Sequence, residues 1–121
     1  LVVHGAFHRH PGLRVASIEN GSDWVQSLVK HLRKKANQAP SAFHEDPLDT
    51  VRRHVWVTPY LEEDLDALAE LIGVDRILFG SDWPHGEGTA QPLDFAKELG
   101  RIDDAAQQRI MRDNVLELLG A

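Results

Sequence analysis

No cysteine occurs among the 121 residues, so a disulfide framework and a thiolate metal site are both excluded within them. A metal held here would need histidine, aspartate or glutamate. No apolar run approaches the roughly 20 residues of a membrane-spanning helix. Positive charge is also short: 13 basic residues face 19 acidic ones, a net charge of -6, which argues against a surface for nucleic acid or another polyanion. The basic cluster from Lys30 to Lys35 is too small to reverse that balance. Repeats, low-complexity tracts, a phosphate-cradling glycine motif and a serine nucleophile elbow are all missing. Methionine occurs once, at Met111, and the sequence opens on Leu1, so we expect a piece of a longer chain with any targeting signal out of view. The expectation is a soluble, cytoplasmic protein with neither a nucleic-acid nor a membrane partner, for which a homo-oligomer remains open.

Apolar patterning predicts strands alternating with helices. Leu1–Phe7 fits the last turns of a helix stopped by Pro11-Gly12. Leu13–Ile18 alternates and reads as a strand, followed by a helix with Asp23 as N-cap and Trp24, Leu28, Val29 and Leu32 on its buried face. Lys30, Arg33, Lys34 and Lys35 then form a solvated face. Asn37–Arg53, with scattered charge and two prolines, predicts a long connection with room for a short helix. Val55–Val57 is a short strand. Glu62, Glu63 and Asp64 suit the positive first turn of the next helix, whose stripe is Leu61, Leu65, Leu68 and Ile72, with Gly73 at its end. Ile77–Phe79 is a third apolar strand. A helix over Pro92–Leu99 and another from Asp103, with Met111, Val115 and Leu118 on one face flanked by Ile110 and Leu119 and Gly120 at its end, complete the chain. Strand-helix alternation of this kind predicts parallel strands with helical crossovers.

Asp82 falls just past the carboxyl end of the third strand, where parallel α/β folds bind their ligands. A carboxylate delivered there is placed for chemistry, although an Asp two residues before a proline also serves simply to cap a turn. Glu19 occupies the equivalent place after the first strand, either as a second reactive carboxylate or as a turn residue. Tyr60, after the middle strand, lines a pocket or packs on the rim. His4 and His8 share a helix face at i, i+4 spacing, and His44, Glu45 and Asp46 are adjacent. Neither group is expected to bind metal, since nothing acidic completes the first and neighbours in the second point apart.

Gly80-Ser81-Asp82-Trp83-Pro84-His85, preceded by Asp75-Arg76-Ile77-Leu78-Phe79, resembles the last-strand signature of the amidohydrolase-related family. Weaker similarity runs through Phe7-His8-Arg9-His10-Pro11-Gly12-Leu13-Arg14-Val15, Val55-Trp56-Val57-Thr58-Pro59-Tyr60 and Asp113-Asn114. The resemblance implies a metal-dependent hydrolase or nonoxidative decarboxylase on a TIM-like (β/α)8 barrel. That fold typically needs about 250 residues, so residues 1–121 would be a C-terminal fragment of one barrel domain, about three βα units and inactive alone. It further implies a divalent ion, zinc for preference, ligated by Asp82 with its remaining ligands outside the fragment. His85 would orient the substrate or Asp82, and Trp83 would wall the pocket. The family's decarboxylases carry a histidine where Glu19 stands, so a histidine-dependent mechanism does not transfer, though a buried carboxylate of raised pKa could still move a proton. A barrel that has lost its metal and serves as a scaffold, or an unrelated α/β binding domain, remains the alternative.

Overall fold

Val55–Val57 (β2) is buried along its whole length and pairs in parallel with Val15–Ser17 (β1), setting Val15 opposite Val55 and Ser17 opposite Val57. The coordinates are a computed structural model that describes residues 1–86, 88 and 90–121. Glu87, which the sequence puts in the loop of His85, and Thr89 lie outside the described residues. The helices are Ala6–Arg9 (α1), Asp23–Gln38 (α2), Pro47–His54 (α3), Leu65–Ile72 (α4), Phe95–Glu98 (α5), Asp104–Gln108 (α6) and Asn114–Leu119 (α7).

Strand parity sends Val55 and Val57 to the helix-covered side, while Trp56 faces the other way with the Arg76 guanidinium 4.4 Å above its ring. On the covered side α2, α3 and α4 pack against one another and on the sheet. They contribute Val25, Val29 and Leu32, then Leu48 and Val51, then Leu65, Leu68 and Ile72. Burying each such side chain stabilises by roughly 1.5–3 kcal/mol, so this layer outweighs any single polar contact. His54, also buried, stacks on Phe7 and holds Leu13 O through Nδ1 at 2.7 Å, joining α3 to the start of β1.

Several expectations are corrected. The helix before β1 covers Ala6–Arg9 and not the residues from Leu1, and β1 is shorter than Leu13–Ile18. The long connection does hold a short helix, α3, because Asp46 caps it by accepting from Leu48 N at 2.7 Å and Pro47 presets its first turn. Its neighbours Glu45 and His44 are occupied elsewhere: Glu45 pairs with Arg53 through both carboxylate oxygens, and His44 stacks on His8.

The third strand shrinks to one bridge, Val57 to Ile77, with Leu78 N donating to Val57 O. Phe79 N, which faces away from β2, donates to a helix carbonyl, Ile110 O, at 3.1 Å. That carbonyl lies in a π-helical turn, Arg109–Asp113, between α6 and α7. The wider turn rotates the apolar stripe, so Ala106, Ile110 and Asn114 are buried, while Val115, expected inside, is 39% exposed. Asn114 donates to Val74 O and Ile77 O, both at 2.7 Å, and ties this helix to the segment that leads to Asp82.

Candidate active site

Because the strands are parallel, the segments after β1, β2 and the Ile77 bridge emerge at one end of the sheet and bring Glu19, Tyr60 and Asp82 together. With His85 and Gly86 they line a cleft of about 780 Å³. His85 Nδ1 lies 2.9 Å from Asp82 Oδ1 and 3.8 Å from Glu19 Oε2. A carboxylate oxygen only accepts, so Nδ1 carries the proton and holds Asp82 in place. The loop is folded back by His85 N on Asp82 O and Gly88 N on His85 O, and a Cβ on Gly88 would sit 2.8 Å from Asp82 O.

Glu19 and Asp82 both have φ of 54°, in the left-handed region. Aspartate tolerates that conformation better than glutamate, for which it costs about 1–2 kcal/mol. The residues after β2 hold Glu19 there. Thr58 Oγ1 accepts from Glu19 N at 3.1 Å and Tyr60 Oη donates to Glu19 O at 3.1 Å. Two residues on, Gly21 has φ of 59°, and a Cβ there would lie 2.6 Å from Glu63 Oε1 and 2.8 Å from the Tyr60 ring.

Glu63 is the residue that sequence reasoning missed. It was expected to serve the helix it precedes, but Asp64 caps α4 by accepting from Ala67 N, and Glu63 reaches across to the start of α2. Its carboxylate accepts from Ser22 N at 2.9 and 2.8 Å, from Ser22 Oγ at 2.6 Å, from Asp23 N at 3.3 Å and from Tyr60 N at 2.9 Å. Ser22, not Asp23, is the N-cap, and its amide is satisfied by this distant carboxylate rather than by a local capping box. Burial pushes the Glu63 carboxyl up, but the Ser22 hydroxyl and the Ser22, Tyr60 and Asp23 amides together hold it below the ordinary glutamate range. Hydrogen bonds to a charged group contribute about 1.5–3 kcal/mol each. Even at the low end, several of them outweigh the backbone cost at Glu19. No local pattern marks the reach of Glu63 to α2, because Ser22 and Asp23 lie about 40 residues away in the chain and only the Tyr60 amide is a near neighbour.

Trp83 does not join the cleft: it is absent from the lining residues and 78% exposed. Glu19 is half exposed rather than buried, and Asp82 is the least exposed of the three central side chains. Glu19, Asp82 and His85 each offer one ligand atom within 4.8 Å of the others, the one such group among the described residues. Two carboxylates and an imidazole suit zinc or manganese by donor chemistry, and three donors leave room for ligands from elsewhere.

The amidohydrolase family profile matches residues 1–121. An amidohydrolase crystal structure from Mycobacterium avium subsp. paratuberculosis K-10 is 55% identical over 99% of this chain, with a TM-score of 0.95. 5-Carboxyvanillate decarboxylase from Sphingomonas paucimobilis shares the fold at 19% identity over 96% of this chain, with a TM-score of 0.68. So does a dihydroxybenzoic acid decarboxylase from Polaromonas sp. JS666, solved with manganese and 2-nitroresorcinol, at 22% identity over 98% of this chain and a TM-score of 0.68. The matches cover 31%, 36% and 37% of those chains, so this chain spans about a third of their length. Its parallel strands with helical crossovers are a section of a TIM barrel, and the chain belongs to the amidohydrolase family.

Proposed function

We propose that residues 1–121 are the C-terminal part of a single barrel domain whose complete form is a metal-dependent hydrolase or carboxy-lyase acting on a small organic substrate. The convergence of Glu19, Asp82 and His85 at the carboxyl end of parallel strands carries this proposal. The fold shared with decarboxylases is why carboxy-lyase chemistry stands beside hydrolysis.

Asp82 would hold a divalent ion, zinc or manganese, with Glu19 and His85 near enough to contribute and the other ligands supplied outside this chain. When bound, the ion supplies Lewis acidity, polarising a carbonyl or carboxylate oxygen and acidifying water. His85 orients Asp82 through its Nδ1–H. Glu19, at 3.8 Å from the same nitrogen, is the group placed to take a proton from the substrate or return one. Tyr60 presents its ring to the cleft as a substrate contact.

The test uses the full-length protein and its Asp82→Asn variant. Metal content is measured by elemental analysis, and turnover on a panel of hydroxybenzoates, scored by carbon dioxide release, and of lactones and amides, scored by acid release. The variant should lose metal and drop turnover by more than the roughly 10–100-fold that changes outside a metal's ligands cost. Unchanged metal stoichiometry and turnover would remove Asp82 from the metal site. No turnover by the unmodified protein, and no metal in it, would favour a barrel kept as a scaffold.

A further inference from the structure

We propose that Glu63 is a positioning residue for Glu19, acting across the gap between two strand ends. The proposal rests on Glu19 as the proton-transfer group. Its structural part stands on geometry alone. The loop from Glu19 to Ser22 turns through two left-handed residues, Glu19 and Gly21, a shape that a glutamate does not choose unaided. Three residues of the segment Thr58–Glu63 fix this loop from the neighbouring strand end, while Trp24 Nε1 donates to Gly21 O at 2.9 Å from the helix that follows. Thr58 and Tyr60 take the amide and the carbonyl of Glu19, at 3.1 Å each. Glu63 takes the amide and hydroxyl of Ser22 at the far end of the loop, and the amide of Tyr60 at 2.9 Å. One carboxylate therefore anchors both the loop and the tyrosine that grips Glu19. Without it, Tyr60 and Ser22 each lose a fixed point, and the Glu19 carboxylate is no longer confined to within 4.8 Å of Asp82 and His85. Glu63 does not line the cleft, so its effect on chemistry would pass through lining residues, Glu19 and the Tyr60 that grips it.

Crystal structures and kinetics of the full-length protein test this together. In Glu63→Ala, Glu19 should leave the left-handed region and its carboxylate should move away from His85. Glu63→Gln, which keeps one acceptor oxygen, should move it less. Should Glu63→Ala fail to fold, Tyr60→Phe removes only the hydroxyl donated to Glu19 O and should shift Glu19 in the same direction. A folded variant that keeps Glu19 at positive φ beside His85 overturns the proposal. On a substrate turned over in the panel, Glu63→Ala should lower kcat roughly 10- to 100-fold, the size expected when a reacting group is misplaced by about 1 Å, with little change in KM. The same substitution made in a Glu19→Gln background should then cost almost nothing further. An equal loss in both backgrounds means that Glu63 does not act through Glu19 and overturns the positioning role. If Glu19→Gln by itself leaves kcat unchanged, the proton-transfer assignment fails, while the crystallographic arm still decides whether Glu63 sets the loop.

Discussion

Replacing Asn114 should destabilise the protein out of proportion to its size. The side chain is fully buried and its Nδ2 donates to two backbone carbonyls, Val74 O and Ile77 O, each at 2.7 Å. Two carbonyls demand a donor, which fixes the amide orientation and leaves Oδ1 unpartnered. In Asn114→Ala, Val74 O keeps the Ile77 amide at 3.2 Å, so that side loses one net hydrogen bond, about 0.5–1.5 kcal/mol. Ile77 O loses the donor the structure gives it and stays buried, about 1–3 kcal/mol. The total is roughly 2–4 kcal/mol before any cavity cost. Asn114→Asp is the sharper test, because it preserves shape while replacing the donor by oxygen facing two carbonyl oxygens. Urea unfolding of the full-length protein should rank the variants Asn, then Ala, then Asp in falling midpoint at unchanged slope. If Asp proves milder than Ala, the side chain acts by filling space and the hydrogen-bond account is wrong.

Acid should weaken the fold below pH 4.5, the ordinary glutamate value. Glu63, Glu45 and Glu117 are all held below it, Glu45 chiefly by its hydrogen bond from Arg53 and Glu117 by that from Arg109. A depressed folded-state pKa stabilises fully above the unfolded value and is lost as pH falls through the folded one. Glu63→Gln should therefore flatten the acid side of a stability–pH curve, and an unchanged curve would count against it. Gly21→Ala forces an L side chain into φ of 59° with a Cβ 2.6 Å from Glu63 Oε1, so it should cost about 2–4 kcal/mol by thermal melting. An unchanged melting temperature would show that the loop relaxes freely. The 121 residues produced alone should be inactive and self-associate, because β1 is half-buried and, among the described residues, three donors converge on the cation position. A monomer in sedimentation with a sharp melt and one tight zinc per chain would refute that.

Local signals were enough for β2, whose three apolar residues are buried as the pattern requires, and for α4, where Leu65, Leu68 and Ile72 face the core and Gly73 ends the helix at φ of 89°. The place of Asp82 was also legible, since an apolar run followed by Gly80 must deliver what comes next to the strand's carboxyl end. What stayed hidden depends on partners remote in the chain. The Ile77–Phe79 run has strand-forming residues, yet it makes a single bridge to β2 and its Phe79 amide is taken by Ile110 O, a carbonyl from a π turn that no propensity marks. Of the stripe Met111, Val115, Leu118, Met111 packs against the core as expected, whereas Val115 is exposed and the buried face runs through Ala106, Ile110 and Asn114.

The same division runs through the site. Glu19, Asp82 and His85 could be nominated individually, because each stands where a parallel strand ends or in the loop just beyond. Their meeting within 4.8 Å depends on the backbone at Glu19 taking a conformation that its own side chain disfavours. That conformation is supplied from the next strand, by Thr58, Tyr60 and Glu63, of which the third looked in sequence like an ordinary acidic residue before a helix. A barrel whose reactive side chains sit on successive strand ends can exchange those side chains singly. It cannot exchange the contacts between neighbouring loops so freely, since each of them fixes a side chain on the strand beside it. An exchange at Glu19 therefore has to be judged together with Glu63, whose carboxylate holds the loop in which Glu19 stands.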